Sequence, residues 1–322
     1  MTATAMSPAT SATSLLLLHT WGGDARTWAP ALRFLRAGGR AADAPDLPGH
    51  GERAAEPFSL AGAVETAAAR AAEAVRDGPA DSPADRLADV LEDRPVNHPA
   101  DRPVNRSVDQ PVNHPVDRPV DVVGSGLGAL VALALARQRP GAVRSLTLVG
   151  FPPAGGPAAA ARLAETEERL RRAGTAAFAR GYVDGTLRGP DPARHELLRR
   201  AMAATRPRTL LDSLRATLGW ADDEPPRPPG PPCLVLRGAH DERVGAEAAQ
   251  TLAGQLGGTY AVVPGAGHVA YLDEPEAFAE VLRDFHHGLD RAAGGPAGRY
   301  GTEHVPPMRH SSGPPTPTLP ER

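Results

Sequence analysis

Lysine and isoleucine are absent from the 322 residues, cysteine occurs once, and aromatic residues make up only 4%. Each scarcity excludes something. With Cys233 alone, neither an internal disulfide nor a cysteine-rich zinc site can form. No apolar run approaches the roughly 20 residues that a membrane helix needs. The N-terminal stretch MTATAMSPATSATS carries no positive charge, and Leu15–Leu18 is too short for the core of a signal peptide. A soluble, cytoplasmic protein without a membrane partner is expected. Neither charge dominates: 35 basic residues, all arginine, face 38 acidic ones for a net charge of −3. That balance argues against a generally basic nucleic-acid binder. Lysine and isoleucine both use AT-rich codons, so their absence points to a GC-rich genome and says nothing of the fold. Hydrophobic residues make up 41%, enough for a buried core, and the length suits one large domain or two smaller ones.

Three stretches lack the pattern of a folded segment. Residues 1–13 are small and polar, and residues 288–322 carry Gly, Pro, Ser and Arg without apolar periodicity. The third, about 78–119, holds an octad repeat: DRPVNHPA from Asp93, DRPVNRSV from Asp101, DQPVNHPV from Asp109 and DRPV from Asp117. Asn97, Asn105 and Asn113, the only asparagines, share one repeat position. Proline twice in most units suits neither a helix nor a paired strand. One or two valines per unit cannot offset the entropy of ordering it. The period is also far below that of solenoid repeats. All three are read as disordered, the octads as an expanded surface loop.

The remainder alternates. Strands are expected at Ser14–His19, Arg40–Ala44, Val120–Gly124, Ser145–Gly150, Cys233–Arg237 and Tyr260–Val263, all short apolar runs ended by Gly, Pro or Asp. Helices are expected at Thr27–Arg36, Leu60–Arg76, Leu127–Arg137, Glu247–Leu256 and Glu276–Phe285. Strand–helix alternation implies an α/β fold with a mostly parallel central sheet. Residues 158–220 break the alternation with continuous helical pattern, then run into the proline-rich DDEPPRPPGPP. The expected organisation is a core of residues 14–150 and 233–287 with a helical cap, 151–232, inserted between two strands.

Four pieces occur in order: LLLLHTWGGD (Leu15–Asp24), APDLPGHG (Ala44–Gly51), VDVVGSGLGALVALALA (Val120–Ala136), and the pair LVLRGAHDERV (Leu234–Val244) with VVPGAGHVAYLDEPEAF (Val262–Phe278). Together they resemble the α/β-hydrolase superfamily, in particular its capped esterase, lactonase and aminopeptidase-like branch. The resemblance covers about Ser14 to Phe285 apart from the octads. It implies a capped α/β-hydrolase fold acting on a small ester, lactone or amide, with no cofactor and no metal. The first strand candidate lies near the start of the chain, so the N-terminal hairpin strands usual in the family are expected to be missing.

The resemblance also implies roles for particular residues. Asp241 corresponds to the acid and His268, 27 residues later, to the base. The G-x-S-x-G turn of the family corresponds to Gly124-Ser125-Gly126-Leu127-Gly128, which places Gly126 at the nucleophile position. Glycine cannot form an acyl-enzyme. Ser125 is a poor substitute, because a one-residue shift on a tight turn rarely preserves the bond to the base. The oxyanion donors would be the backbone amides of Trp21 and Leu127. The family usually has His-Gly after its first strand, whereas this chain has His19-Thr20. A β-branched residue is strained if that position needs φ > 0, which bears on the alignment of the hole.

Two readings of the Asp241–His268 pair therefore stand side by side. In one, His268 works as a general base without a covalent partner. In the other, the pair is a remnant on a catalytically inactive binding protein that takes a small-molecule ligand. A third reading takes Gly124, Gly126 and Ala129 as a dinucleotide fingerprint. It lacks the acidic residue expected about 20 positions on, since SLTLVG runs into Phe151-Pro152-Pro153. Other residues have plain structural readings. His50 organises its loop, and His286 and His287 end the last helix. Arg169, Arg171 and Arg172 form a solvated face, and Cys233 is inert in a buried strand. Oligomeric state is not legible.

Overall fold

The computed structural model describes residues 14–37, 40–76, 87, 119–151, 156–220 and 230–294. The octad repeat, apart from Pro119, and the segments 1–13 and 295–322 lie outside the described residues. Six parallel strands form one sheet: β1 (Leu15–Leu18), β2 (Ala42–Asp43), β3 (Val120–Ser125), β4 (Val143–Val149), β5 (Cys233–Gly238) and β6 (Thr259–Val263). Their order is β2-β1-β3-β4-β5-β6. All four residues of β1 and all six of β3 are buried, as strands covered on both faces must be.

Helices make the crossovers that parallel strands require. These are α1 (Ala29–Ala37), α2 (Leu60–Arg76), α3 (Leu127–Gln138) and α7 (Ala246–Gln255), with α8 (Ala270–Asp273) and α9 (Pro275–Gly294) closing the described chain. α1 packs against α9, and α2 against α3. Trp28, fully buried, stacks on Tyr271 with ring centroids 3.6 Å apart and meets Phe278 at 5.9 Å. α3 is apolar around most of its circumference, and nine of its residues are buried. It reaches the sheet because Gly128 has no side chain: a methyl group there would lie 2.2 Å from the carbonyl oxygen of Leu18.

Between β4 and β5 the chain leaves the sheet for three helices, α4 (Gly156–Asp184), α5 (Pro192–Ala204) and α6 (Pro207–Leu218). α4 is broken at Gly174, whose φ of 72° and ψ of 165° no helix accommodates. Asp191 caps α5 by accepting from the amide of Ala193 at 2.9 Å, with Pro192 in the first turn. The insertion is tied to the core by aromatic contacts. The Trp21 indole N–H donates to the carbonyl of Leu210 at 2.9 Å, its ring lies edge-on to Tyr182, and Phe151 stacks on Trp220.

Two expectations are corrected here. The second strand is only Ala42–Asp43, since it pairs with β1 only at Leu15 and Leu16; Arg40 lies outside it and pairs with Asp121 of β3. The last helix runs to Gly294 and so includes residues 288–294. His286 is therefore not at its end. It is buried at 3% exposure and faces Asp121 and Ser145, so packing rather than the helix dipole determines its place.

Asp121, in β3, is fully buried. Burial pushes its carboxyl up, but His286, Arg40, Ser145 and Arg144 together hold it below the ordinary value. Arg144 Nε reaches it at 3.0 Å. Burial pushes His286 down to about 4, and His50 down to about 3 with help from the neighbouring His19. Removing one member of such a cluster leaves the others uncompensated, and Asp121→Asn is expected to destabilise the fold by about 3 kcal/mol in urea unfolding. The pH dependence follows from the same groups. A histidine neutral in the folded protein takes up its proton on unfolding below about pH 6.5, while Asp121 loses its contribution as pH falls through its lowered folded value. Unfolding free energy should thus fall steadily from pH 6.5 towards 4, and His286→Gln should reduce that slope. A flat urea profile over this range would contradict the assignment.

Candidate active site

The sheet order reverses around β1, since β2 lies on one side of it and β3 on the other. The loops leaving β1 and β3 begin there, at the carboxyl ends of the strands, where open α/β sheets bind ligands. Gly126 makes the turn from β3 into α3 at φ 50° and ψ −106°, in the left-handed half of backbone space that favours glycine. Its N–H donates to Val149 at 3.0 Å. A methyl group on Gly126 would lie 3.1 Å from Thr20 Oγ1 and 3.7 Å from the amide nitrogen of Trp21. Position 126 therefore faces the loop after β1. Among the described residues, neither the Trp21 N–H nor the Leu127 N–H has an acceptor. Ser125 ends β3, is 1% exposed, and makes no hydrogen bond to His268.

His268 and Asp241 come from separate loops and meet. His268 Nδ1 lies 3.0 Å from Asp241 Oδ2 and 3.2 Å from Oδ1. Asp241 Oδ1 also accepts from the amides of Arg243 at 2.8 Å and Val244 at 3.0 Å. Burial pushes the Asp241 carboxyl up, but its bonds to His268 and these amides hold it below the ordinary value. An ionised carboxylate only accepts, so Nδ1 carries a proton toward it, and Nε2 is the nitrogen that can accept. Both residues are buried, at 4% and 7% exposure, while the adjacent His240 is exposed. Gly150, one residue past β4, has φ 54°, and a methyl group there would lie 3.2 Å from His268 Nδ1. Because Gly126 bonds to Val149 and the imidazole rests on Gly150, the two sites converge across the end of β4.

Several positioning residues carry no mark in the sequence. Asp273, 1% exposed, accepts from the amides of Arg188 and Gly189 through Oδ1 at 2.9 and 2.8 Å, and from Gly267 through Oδ2 at 2.7 Å. One carboxylate thus joins the His268 loop to the helical insertion. The His268 N–H donates to Thr186 O at 3.2 Å. Arg243 donates to Thr186 Oγ1 from Nη2 at 2.6 Å and lies over the Tyr182 ring at 4.3 Å. The one available hint was an aspartate inside the apolar run VAYLD, where a carboxylate must find donors.

The histidines of the first two loops are structural. His19 Nε2 accepts from the Leu47 N–H at 3.1 Å, which leaves Nδ1–H to donate to Thr20 O at 3.0 Å. Burial lowers its pKa and favours this neutral form. The His50 Nδ1–H donates to Pro48 O at 3.1 Å, in keeping with a loop-organising role. Asp46 accepts from Ala25 and Glu52 amides, both at 2.7 Å, and binds the two loops together. Gly124, the first glycine of the would-be dinucleotide fingerprint, is explained by close helix–strand packing: a methyl group there would lie 2.2 Å from the Gly128 carbonyl oxygen. Burial pushes the Cys233 thiol up to about 12. Arg171 and Arg172 pair with Glu168 on an exposed surface.

The chain belongs to the alpha/beta hydrolase family, whose model matches residues 15–281. Its fold is that of a thermophilic esterase from Thermogutta terrifontis solved with malate bound, at 19% identity, TM-score 0.60 and coverage of 87% of this chain and 91% of that one. An enol-lactonase from Burkholderia xenovorans is similar at 17% identity and TM-score 0.59, covering 86% and 92%. An esterase from Exiguobacterium antarcticum is similar at 15% identity and TM-score 0.62, covering 85% and 92%. No curated protein sequence matches the chain. Among the described residues no helix is long and apolar enough to cross a membrane.

The Asp273 contacts generate a stability test. Asp273→Ala leaves three amides of the His268 loop and the insertion without their acceptor, and is expected to cost about 3 kcal/mol in urea unfolding. Asp273→Asn, which keeps one acceptor oxygen, should cost less. Equal stability of Asp273→Ala and the unaltered protein would show that the carboxylate does not hold the loop.

Proposed function

We propose that this protein hydrolyses a small ester, lactone or amide with an activated leaving group, using His268 as general base and Asp241 as its orienting acid, with Gly126 standing at the nucleophile position. The observation that carries the reading is the buried His268–Asp241 pair, 3.0 Å apart at the carboxyl ends of the strands. The amides of Trp21 and Leu127 flank position 126 and have no acceptor among the described residues. The likeness to solved esterases and an enol-lactonase supports the substrate class.

In this mechanism no acyl-enzyme forms. His268 Nε2 takes a proton from water as the water oxygen bonds to the substrate carbonyl carbon. The Trp21 and Leu127 N–H groups receive the developing oxyanion. Asp241 stabilises the imidazolium. The tetrahedral intermediate then collapses, the bond to the leaving group breaks, and the imidazolium returns its proton to the departing atom. General-base catalysis contributes about 10²- to 10⁴-fold, which is why an activated substrate is required.

A second reading, a receptor that binds such a ligand without turnover, draws on the absence of any side chain at Gly126. Hydrolysis of 4-nitrophenyl acetate separates the two. The unaltered protein should exceed the buffer rate by about 10²-fold. His268→Ala should return to the buffer rate, and Asp241→Asn should lose about 10- to 10³-fold in kcat through loss of the correct tautomer. Turnover unchanged in His268→Ala contradicts the general-base role, and silence of the unaltered protein leaves the receptor reading.

A further inference from the structure

Position 20 and position 126 face each other. The atom nearest to a methyl group on Gly126 is the hydroxyl oxygen of Thr20, at 3.1 Å, a separation tighter than carbon ordinarily tolerates. Thr20 is 1% exposed, and its hydroxyl makes no hydrogen bond to a described residue. The oxygen itself keeps some contact with solvent, so a water can reach it. The backbone around it is firmly placed. Its carbonyl accepts from the His19 imidazole at 3.0 Å and from the Gly23 N–H at 3.0 Å. The side chain is thus presented from the β1 loop toward the volume that a side chain at 126 would fill.

We propose that Thr20 is the positioning residue for the attacking water. Its hydroxyl holds a water molecule over Gly126, in the volume that glycine leaves free, and directs it to His268. A water takes about 30 Å³ and needs two to four polar partners. Thr20 Oγ1 and His268 Nε2 supply two, and the Trp21 and Leu127 N–H groups stay available for the oxyanion. The hydroxyl absent from the turn after β3 is thereby provided from the loop after β1, on a group that orients water rather than attacking. Thr20 itself forms no covalent bond: the water oxygen joins the carbonyl carbon, and its proton goes to His268. The arrangement links the two departures from the family pattern. Threonine is accommodated at position 20 because position 126 has no side chain, and a serine at 126 would crowd it.

This inference rests on the hydrolase reading, and the test separates the two. Thr20→Val keeps the shape and removes the hydroxyl, whereas Thr20→Ser keeps the hydroxyl. Two readouts are compared in the full chain: kcat and KM for 4-nitrophenyl acetate, and the affinity for phenylboronic acid followed by boron NMR. That probe adds hydroxide to become a tetrahedral anion, so one of its oxygens occupies the place of the attacking water. Thr20→Val is expected to lower kcat by about 10- to 100-fold with KM changed less than about twofold, and to weaken phenylboronic acid binding about tenfold. Thr20→Ser should stay within about threefold of the unaltered protein in both. If the unaltered protein does not turn over yet binds phenylboronic acid in a Thr20-dependent way, the hydrolase reading fails and the Thr20 assignment stands. If Thr20→Val matches the unaltered protein in boronate affinity, or if the unaltered protein does not bind the probe, the assignment is overturned. If Thr20→Val unfolds, Thr20→Ala takes its place under the same criteria.

Discussion

The close approach of α3 to the strands governs the geometry of this molecule. A methyl group on Gly128 would sit 2.2 Å from the Leu18 carbonyl oxygen, so the helix can lie where it does only because that side chain is missing. With α3 pressed to the sheet, the chain must turn sharply at Gly126, in a conformation that favours glycine. That turn aims position 126 at the β1 loop and leaves the Leu127 amide at a helix N-terminus, where backbone donors are unpaired. Packing between helix and strand thus generates a polar crevice with no dedicated polar side chain at the turn itself.

The imidazole is brought to that crevice by contacts of a different kind. Its loop is held mainly through backbone groups: the Gly267 amide by Asp273, the His268 amide by Thr186, and the ring against Gly150. Two of these three partners also engage the helical insertion. The insertion therefore helps to fix the loop that carries His268. The coupling of Trp21 to Leu210 does the same on the opposite side, by holding the loop that carries the Trp21 amide.

Much of the fold was legible in the sequence. The strands are apolar runs ended by Gly, Pro or Asp, and all six lie within two residues of their expected limits at each end. β2 is the most shortened, and the Arg40 side chain left outside it pairs with Asp121 of β3, 81 positions away. The last helix outran its apolar pattern for a related reason: its polar final turns carry Asp290, which pairs with Arg144. His286 was misread as a terminal residue because periodicity cannot reveal that Asp121 lies opposite. Asp273 and Thr186 carried no legible role, since their work is to accept hydrogen bonds from amides of distant segments.

What the sequence determined alone is the set of local decisions: which runs become strands, where glycine and proline end them, and which loops carry Thr20, Gly126, Asp241 and His268. These depend on near neighbours in the chain, so pattern and composition suffice. The tertiary structure decided which of those loops meet. It set His268 against Asp241 at 3.0 Å, turned Thr20 toward Gly126, and buried His286 against Asp121. Hydrogen bonds and contacts of that kind act over a few ångströms between residues tens or hundreds of positions apart. Only a folded chain, with its sheet order fixed and its helices packed, brings them within range.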